Sequence, residues 1–167
     1  MQWDLITNII LATALATLGV FVVMGLYQLF TRGSIKKVDR KILAMIPPLI
    51  LVVITYFLFD KIWVLSTRPD GSGEPSFPST HVMVVTTIFF ITIFALPKYI
   101  KNRTLLIALD LMMCILATIN ANGRIFAGKH SVADVIGGLI FATIFAAIYY
   151  VLSTKPKKSK KEKELHA

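Results

Sequence analysis

Five uninterrupted apolar blocks, at residues 5–30, 42–59, 82–96, 104–121 and 135–152, constrain this chain more than any other feature. Each holds 15 to 26 residues without a Lys or Arg, and a helix needs about 20 apolar residues to cross the hydrocarbon of a bilayer. Apolar types make up 56% of the 167 residues, against about 45–50% in globular domains even with glycine included, so a soluble single-core protein is excluded. Runs such as Ile50-Leu51-Val52-Val53-Ile54 lack the alternation of a β-barrel strand, whereas helices satisfy every backbone group within the membrane. The expected fold is an all-α integral membrane bundle of five transmembrane helices, with residues 1–152 as one domain. The third block is short, but Pro78-Ser79-Thr80 ahead of it reads as a helix start. Including those residues lengthens the helix to about 28 Å and leaves its first turn at the membrane interface.

The charges are sorted between alternate connections. Lys and Arg number five in residues 31–41, three in 97–103 and six in the tail 153–167, against four in all other segments together. The positive-inside rule then places the N-terminus outside and the C-terminus inside, with residues 60–81 and 122–134 on the outer face of a multi-pass cell-membrane protein. Met1-Gln2-Trp3-Asp4 lacks the positive charge that opens a cleaved signal peptide, so the first block is expected to be a retained span. The Lys-rich tail reads as a disordered cytoplasmic anchor on anionic lipid, each basic residue contributing about 1 kcal/mol near the surface. The net charge of +9 is thereby explained by topology and headgroups, without a nucleic-acid partner. The single cysteine, Cys114, excludes an intrachain disulfide and a Cys-based metal cage.

The four outward cations share their two loops with His81, His130 and Asp134. Such an inventory suits phosphoryl transfer, where charge on the equatorial oxygens needs fixed cations and N–H donors. Arg68 and Arg124 offer planar forks for phosphate oxygens and Lys61 a compact point charge. Ser79 and Thr80 stand where the third helix begins, so free N–H groups and the positive end of the dipole would face an anion. His130 and Asp134 are four residues apart, a spacing at which the carboxylate can hold the imidazole N–H, the logic of an activated nucleophile. His81 remains as the acid for the leaving oxygen. Each residue also has a plainer reading. Ser79 or Thr80 can cap a helix, Ser131-x-x-Asp134 matches a capping box, and Lys61 can snorkel at the end of the second span. Independent caps and anchors, however, give no reason for both histidine loops to share a face with every outward cation. Asp110, inside the fourth block, reads as a buried, hydrogen-bonded structural carboxylate. Pro47-Pro48 is expected to kink the second span, and Gly137-Gly138 suits close helix packing.

Lys61-x6-Arg68-Pro69, Pro78-Ser79-x-His81 and Arg124-x5-His130-x3-Asp134 resemble, in order and spacing, the three-part signature of the phosphatidic acid phosphatase type 2 superfamily. The resemblance implies a helical bundle, no metal or other cofactor, His130 as the phosphorylated nucleophile, Asp134 as its partner and His81 as general acid. It implies Lys61, Arg68, Ser79 and Arg124 as phosphate ligands, and a site on the outer face. Three departures stand out: Thr80 occupies a usual Gly position, Gly123 a usual Ser position, and membrane relatives commonly have six spans. The expected activity is hydrolysis of the terminal phosphate of a lipid phosphate or diphosphate, of the polyprenyl diphosphate, phosphatidic acid or phosphatidylglycerol phosphate type. The alternatives are a lipid phosphotransferase with the same intermediate, or a non-catalytic anion-binding membrane protein or transporter. Transport would call for polar residues along several spans, which are nearly free of charge here.

Overall fold

The computed structural model describes residues 2–154; nearly all of the Lys-rich tail lies outside the described residues. All five apolar blocks form helices long enough to cross a membrane, at Gln2–Arg32, Arg40–Ile62, Thr80–Lys98, Arg103–Phe126 and Val132–Thr154.

Helix α1 (Gln2–Arg32) has 31 residues, about 46 Å of helix against about 30 Å of hydrocarbon. It stops at Gly33, whose φ of 65° suits only a residue without Cβ and whose N–H closes onto Leu29 O at 2.9 Å. A 3-10 turn leads to Asp39, whose carboxylate caps α2 (Arg40–Leu43) through the Lys41 amide. The chain breaks at Ala44-Met45 and restarts as α3 (Ile46–Phe57). The expected proline kink is therefore a helix start: Pro47 and Pro48 lie in the first turn of α3, where the missing N–H groups cost no hydrogen bond. α3 runs on into a π-helical turn, Leu58–Ile62.

Helix α4 (Thr80–Ala95) is the centre of the bundle: ten of its 16 residues are buried, and α1, α3, α5 (Arg103–Phe126) and α6 (Val132–Thr154) all pack on it. Core layers follow its length. Val82 packs with Ala121 and Val135 at one end, Val85, Ile88 and Phe89 with Ile10, Ala14, Met113 and Ala117 in the middle, and Ile91 and Ala95 with Phe21, Met45 and Tyr149 at the other. Large apolar side chains such as Ile9, Val23, Ile50, Ile115 and Ile140 point outward, as lipid-facing residues of a membrane bundle do. Asp110 differs from its expected role, because its Oδ1 is buried without a hydrogen-bond partner.

The two ends of the bundle are chemically distinct. At one, Lys41 Nζ donates to Phe94 O at 2.6 Å and Arg40 Nε to Leu152 O at 2.8 Å, cations closing the carbonyl ends of α4 and α6. At the other, Arg124 meets Asp4 and His81 meets Asn8, which gathers the first turns of α1, the start of α4 and the end of α5. The two histidine loops thus share one end.

Candidate active site

The loop after the second span folds back on itself. Thr67 bridges Pro75 antiparallel, Arg68 N donates to Glu74 O at 2.9 Å and Ser76 N to Ser66 O at 2.9 Å. This places Ser66, Arg68 and Ser76 beside the second histidine loop. Lys129 Nζ, at 2.9 Å from Asp70 Oδ2, clasps the two loops together. Two glycines at the start of α6 permit the remaining approach: a Cβ on Gly137 would lie 2.3 Å from the Phe77 ring, and one on Gly138 2.9 Å from Ser79 O. The expected close packing at this pair is therefore packing against the Pro78-Ser79 segment.

His130 is buried, and its Nδ1 lies 3.0 Å from the Ser76 carbonyl oxygen. A carbonyl only accepts, so Nδ1 carries the hydrogen and Nε2 is left with its lone pair. Burial, then the charge of Arg124, lowers the His130 pKa to about 4 despite the opposing pull of Asp134 and the Ser76 carbonyl. The ring is therefore neutral near pH 7, with the lone pair on Nε2 unprotonated.

Asp134 does not touch the ring as its spacing suggests. Its Oδ2 accepts from Ser76 Oγ at 2.6 Å and from Ser131 N and Oγ at 2.8 Å each, and Oδ1 accepts from Ser66 Oγ at 2.9 Å. Asp134 N in turn lies 3.2 Å from Ser131 Oγ, so the capping box forms. One carboxylate therefore both starts α6 and anchors the serine that holds His130.

The groups expected to bind phosphate fall into two sets. Arg68, Thr80, His81 and His130 line a cavity of about 200 Å³, together with Asp60, Ser76 and the rings of Tyr56, Phe59 and Phe77. Arg124 is 4% exposed and Ser79 fully buried. Arg68 Nε, Arg124 Nε and Ser79 Oγ are all buried without a hydrogen-bond partner, and each such group costs about 1–3 kcal/mol until an acceptor or donor meets it. Arg68 pairs with Glu74, and Arg124 Nη1 lies 3.4 Å from Asp4 Oδ1. Ser79 is the residue before α4 and its hydroxyl caps nothing, while its amide donates to Asp134 O at 2.9 Å. Lys61 stands apart: it pairs with Asp60 at 2.6 Å, its side chain is 62% exposed, and Asp60 rather than Lys61 faces the cavity. His81 lines the cavity with Nε2 at 3.1 Å from Asn8 Oδ1.

Sequence reasoning missed Ser66, Ser76, Asp4 and Asn8. Asn8 carried a signal, as an amide within an apolar block. The serines carried none, because their roles arise only from the fold of their loop.

Such a molecule is a helical membrane protein with a cationic, histidine-lined pocket at one end of the bundle. The chain belongs to the PAP2 superfamily, whose family model matches residues 55–158. The match begins within α3, leaving α1 outside it. The fold is similar to the crystal structure of the first transmembrane PAP2 type phosphatidylglycerolphosphate phosphatase from Bacillus subtilis, with a TM-score of 0.72 and 19% identity over 95% of this chain and 80% of that one. No curated protein matches the chain.

Proposed function

We propose that this protein is a lipid phosphatase that removes the terminal phosphate of a lipid phosphate or diphosphate through a phosphohistidine on His130, at the outer face of the cell membrane. The observation that carries this reading is the His130 tautomer: with Nδ1–H held by a backbone carbonyl, the Nε2 lone pair is the one available to a phosphorus atom in the cavity that His130 lines. Membership of the PAP2 superfamily supports a phosphatase.

In this scheme Arg68 and Arg124 exchange their acidic partners for phosphate oxygens, and the free hydroxyl of Ser79 and the amide of Thr80 donate at the start of α4. Lys61, next to the cavity residue Asp60, joins from the rim. Nε2 attacks phosphorus as the bond to the lipid oxygen breaks, and His81 supplies the proton that oxygen needs. Water then attacks the phosphohistidine, releasing inorganic phosphate and restoring neutral His130. The cationic side chains carry the charge stabilisation, so no metal ion enters the scheme. The apolar tail stays in the membrane, against Tyr56 and Phe59 at the cavity wall.

The test is phosphate release by the purified protein from phosphatidic acid, phosphatidylglycerol phosphate and polyprenyl diphosphate, with His130→Ala as the blank and a strong chelator in a parallel series. Release from at least one lipid, lost in the variant and indifferent to chelator, is expected. Release that His130→Ala retains would refute the nucleophile, and dependence on added Mg²⁺ would refute the metal-free scheme.

A further inference from the structure

At the end of the bundle away from the histidines, two cavities meet at Val38. The first, of about 530 Å³, is lined by the cations Arg32, Lys36, Lys37, Arg40 and Lys98 around a single carboxylate, Asp39. Asp39 is already matched: it accepts from Lys98 Nζ at 2.6 Å, Tyr99 Oη at 2.7 Å and the Lys41 amide at 2.9 Å. Burial alone would raise its pKa, but these donors hold it below the ordinary carboxylate value. The other four cations have no carboxylate partner among the described residues. Arg32 and Arg40 each give one N–H to a backbone carbonyl, Lys37 O at 2.7 Å and Leu152 O at 2.8 Å, which fixes both guanidinium groups and leaves their remaining N–H groups available.

The second cavity is an apolar groove of about 250 Å³ between α1 and the segment that begins at Ile35. Its α1 wall runs from Leu18 to Leu29, and at Gly25 the side chain is missing altogether, with Ile42 Cγ2 3.0 Å from where a Cβ would stand. From Leu18 to Leu29 the helix rises about 17 Å, a little over half of the roughly 30 Å hydrocarbon thickness, which is the depth of one leaflet. A soluble anion has no use for such a groove, and an apolar helix has no use for four unmatched cations.

We propose that this composite site holds one anionic phospholipid of the adjacent leaflet, its phosphate among Arg32, Lys36, Lys37 and Arg40 and one acyl chain along α1 from Leu29 towards Leu18. Only four of the 31 residues of α1 are buried in the bundle. A lipid seated here joins α1 to the second span where protein packing alone does so sparsely. The site lies at the opposite end from the phosphatase pocket and requires only a phosphodiester, so it stands independently of the proposed activity.

The experiment is native mass spectrometry of the full-length protein in detergent, titrated with dioleoyl-phosphatidylglycerol, dioleoyl-phosphatidylcholine or glycerol 3-phosphate. Phosphatidylglycerol is expected to bind at least tenfold more tightly than phosphatidylcholine. Lys36→Gln with Lys37→Gln should weaken phosphatidylglycerol about 25-fold, about fivefold for each charge removed near a phosphate surface, and leave phosphatidylcholine unchanged. Val22→Trp, filling the groove from a half-exposed position, should weaken both lipids. Equal affinity for the two lipids, or phosphatidylglycerol binding that survives the double lysine substitution, would overturn the proposal. Glycerol 3-phosphate binding as tightly as the whole lipid would overturn it as well, by showing that the groove contributes nothing.

Discussion

Ser76 holds His130 by its backbone, the carbonyl oxygen 3.0 Å from Nδ1, while its hydroxyl donates to Asp134 at 2.6 Å. The hydroxyl also lies 3.3 Å from Nδ1, but the nearer carbonyl orients the ring while the hydroxyl's short bond goes to the carboxylate. Ser76→Ala keeps the carbonyl bond and loses those of the hydroxyl, so the imidazole tautomer should persist while Asp134 loses a charge-assisted donor worth about 1.5–3 kcal/mol. Asp134→Ala removes both the anchor and the capping box, which adds about 1 kcal/mol of helix-start stability to the loss. The expected order is a drop in kcat of about tenfold for Ser76→Ala with the His130 tautomer intact by 15N NMR, and a larger drop with a lowered Tm for Asp134→Ala. A changed tautomer in Ser76→Ala would show that the hydroxyl, not the carbonyl, orients the ring.

The lowered pKa of His130 gives a pH dependence of definite sign. The folded protein releases the proton near pH 4, the unfolded chain near 6.5. Between those values only the unfolded chain holds the proton, so the contribution of this residue to stability is complete above pH 6.5 and is lost as pH falls towards 4. A 13C-His titration in micelles should give the midpoint near 4. Arg124→Gln, which removes the neighbouring positive charge, should raise it while burial keeps it below 6.5. A midpoint of 6.5 in the wild type would mean that water reaches the ring freely.

Under the proposed scheme the labour of the two histidines should divide by leaving group. His81→Ala should cost most for a lipid monophosphate, less for a diphosphate and least for a nitrophenyl phosphate, because a general acid matters most where the departing oxygen is most basic. Asn8→Ala, which frees the nitrogen of His81 now 3.1 Å from the amide, should reproduce the trend at smaller amplitude. kcat/KM for the three substrates measures both. A uniform loss across the series would recast His81 as a phosphate ligand.

Gly123 makes a counter-intuitive prediction. A Cβ there would lie 2.6 Å from Thr7 Cγ2, and Thr7 is fully buried with its hydroxyl on Trp3 O. Gly123→Ser, the residue usual in the superfamily, should therefore push α1 off α5, loosen the Asp4–Arg124 contact and lower both Tm and kcat, the stability cost being about 1–3 kcal/mol. Unchanged melting and activity would mean that α1 shifts without consequence.

The orientation of the bundle is open to direct labelling. With Cys114 replaced, a cysteine at Ser72 should react with a membrane-impermeant maleimide on intact cells, and one at Lys36 only after permeabilisation. The reverse pattern would place the proposed active site on the cytoplasmic face.

The five spans were legible because length and the absence of charge decide membrane crossing almost by themselves, and each structural helix extends its apolar block by only a few residues. Thr80 opens the third helix where Pro78-Ser79-Thr80 suggested. That the two histidine loops share one end followed from the alternation of spans, since Arg68 and His81 in one loop and His130 and Asp134 in the other flank an even number of membrane crossings. The spacing of His130 and Asp134, however, suggested a direct contact that the fold replaces with Ser76. Contacts across the chain were not legible. Asn8 stands out as an amide in an apolar block, but neither it nor Asp4 identifies its partner 73 or 120 residues away, and the route from Asp134 to His130 passes through a loop serine that no periodicity marks. Lys61 shows the converse, a residue at the right spacing whose side chain turns to its neighbour Asp60 instead of the cavity.

The reach of α1 also sets a time order on assembly. Asp4 is made before the other four spans, yet Arg124 emerges 120 residues after it, roughly 6 to 24 s later at 5–20 residues per second. Until then the Asp4 carboxylate at the histidine end of the bundle lacks its cationic partner. A nascent or truncated product that stops before Arg124 carries Arg68 and His81 but not Arg124, His130 or Asp134, so under the proposed scheme partial chains should be hydrolytically silent.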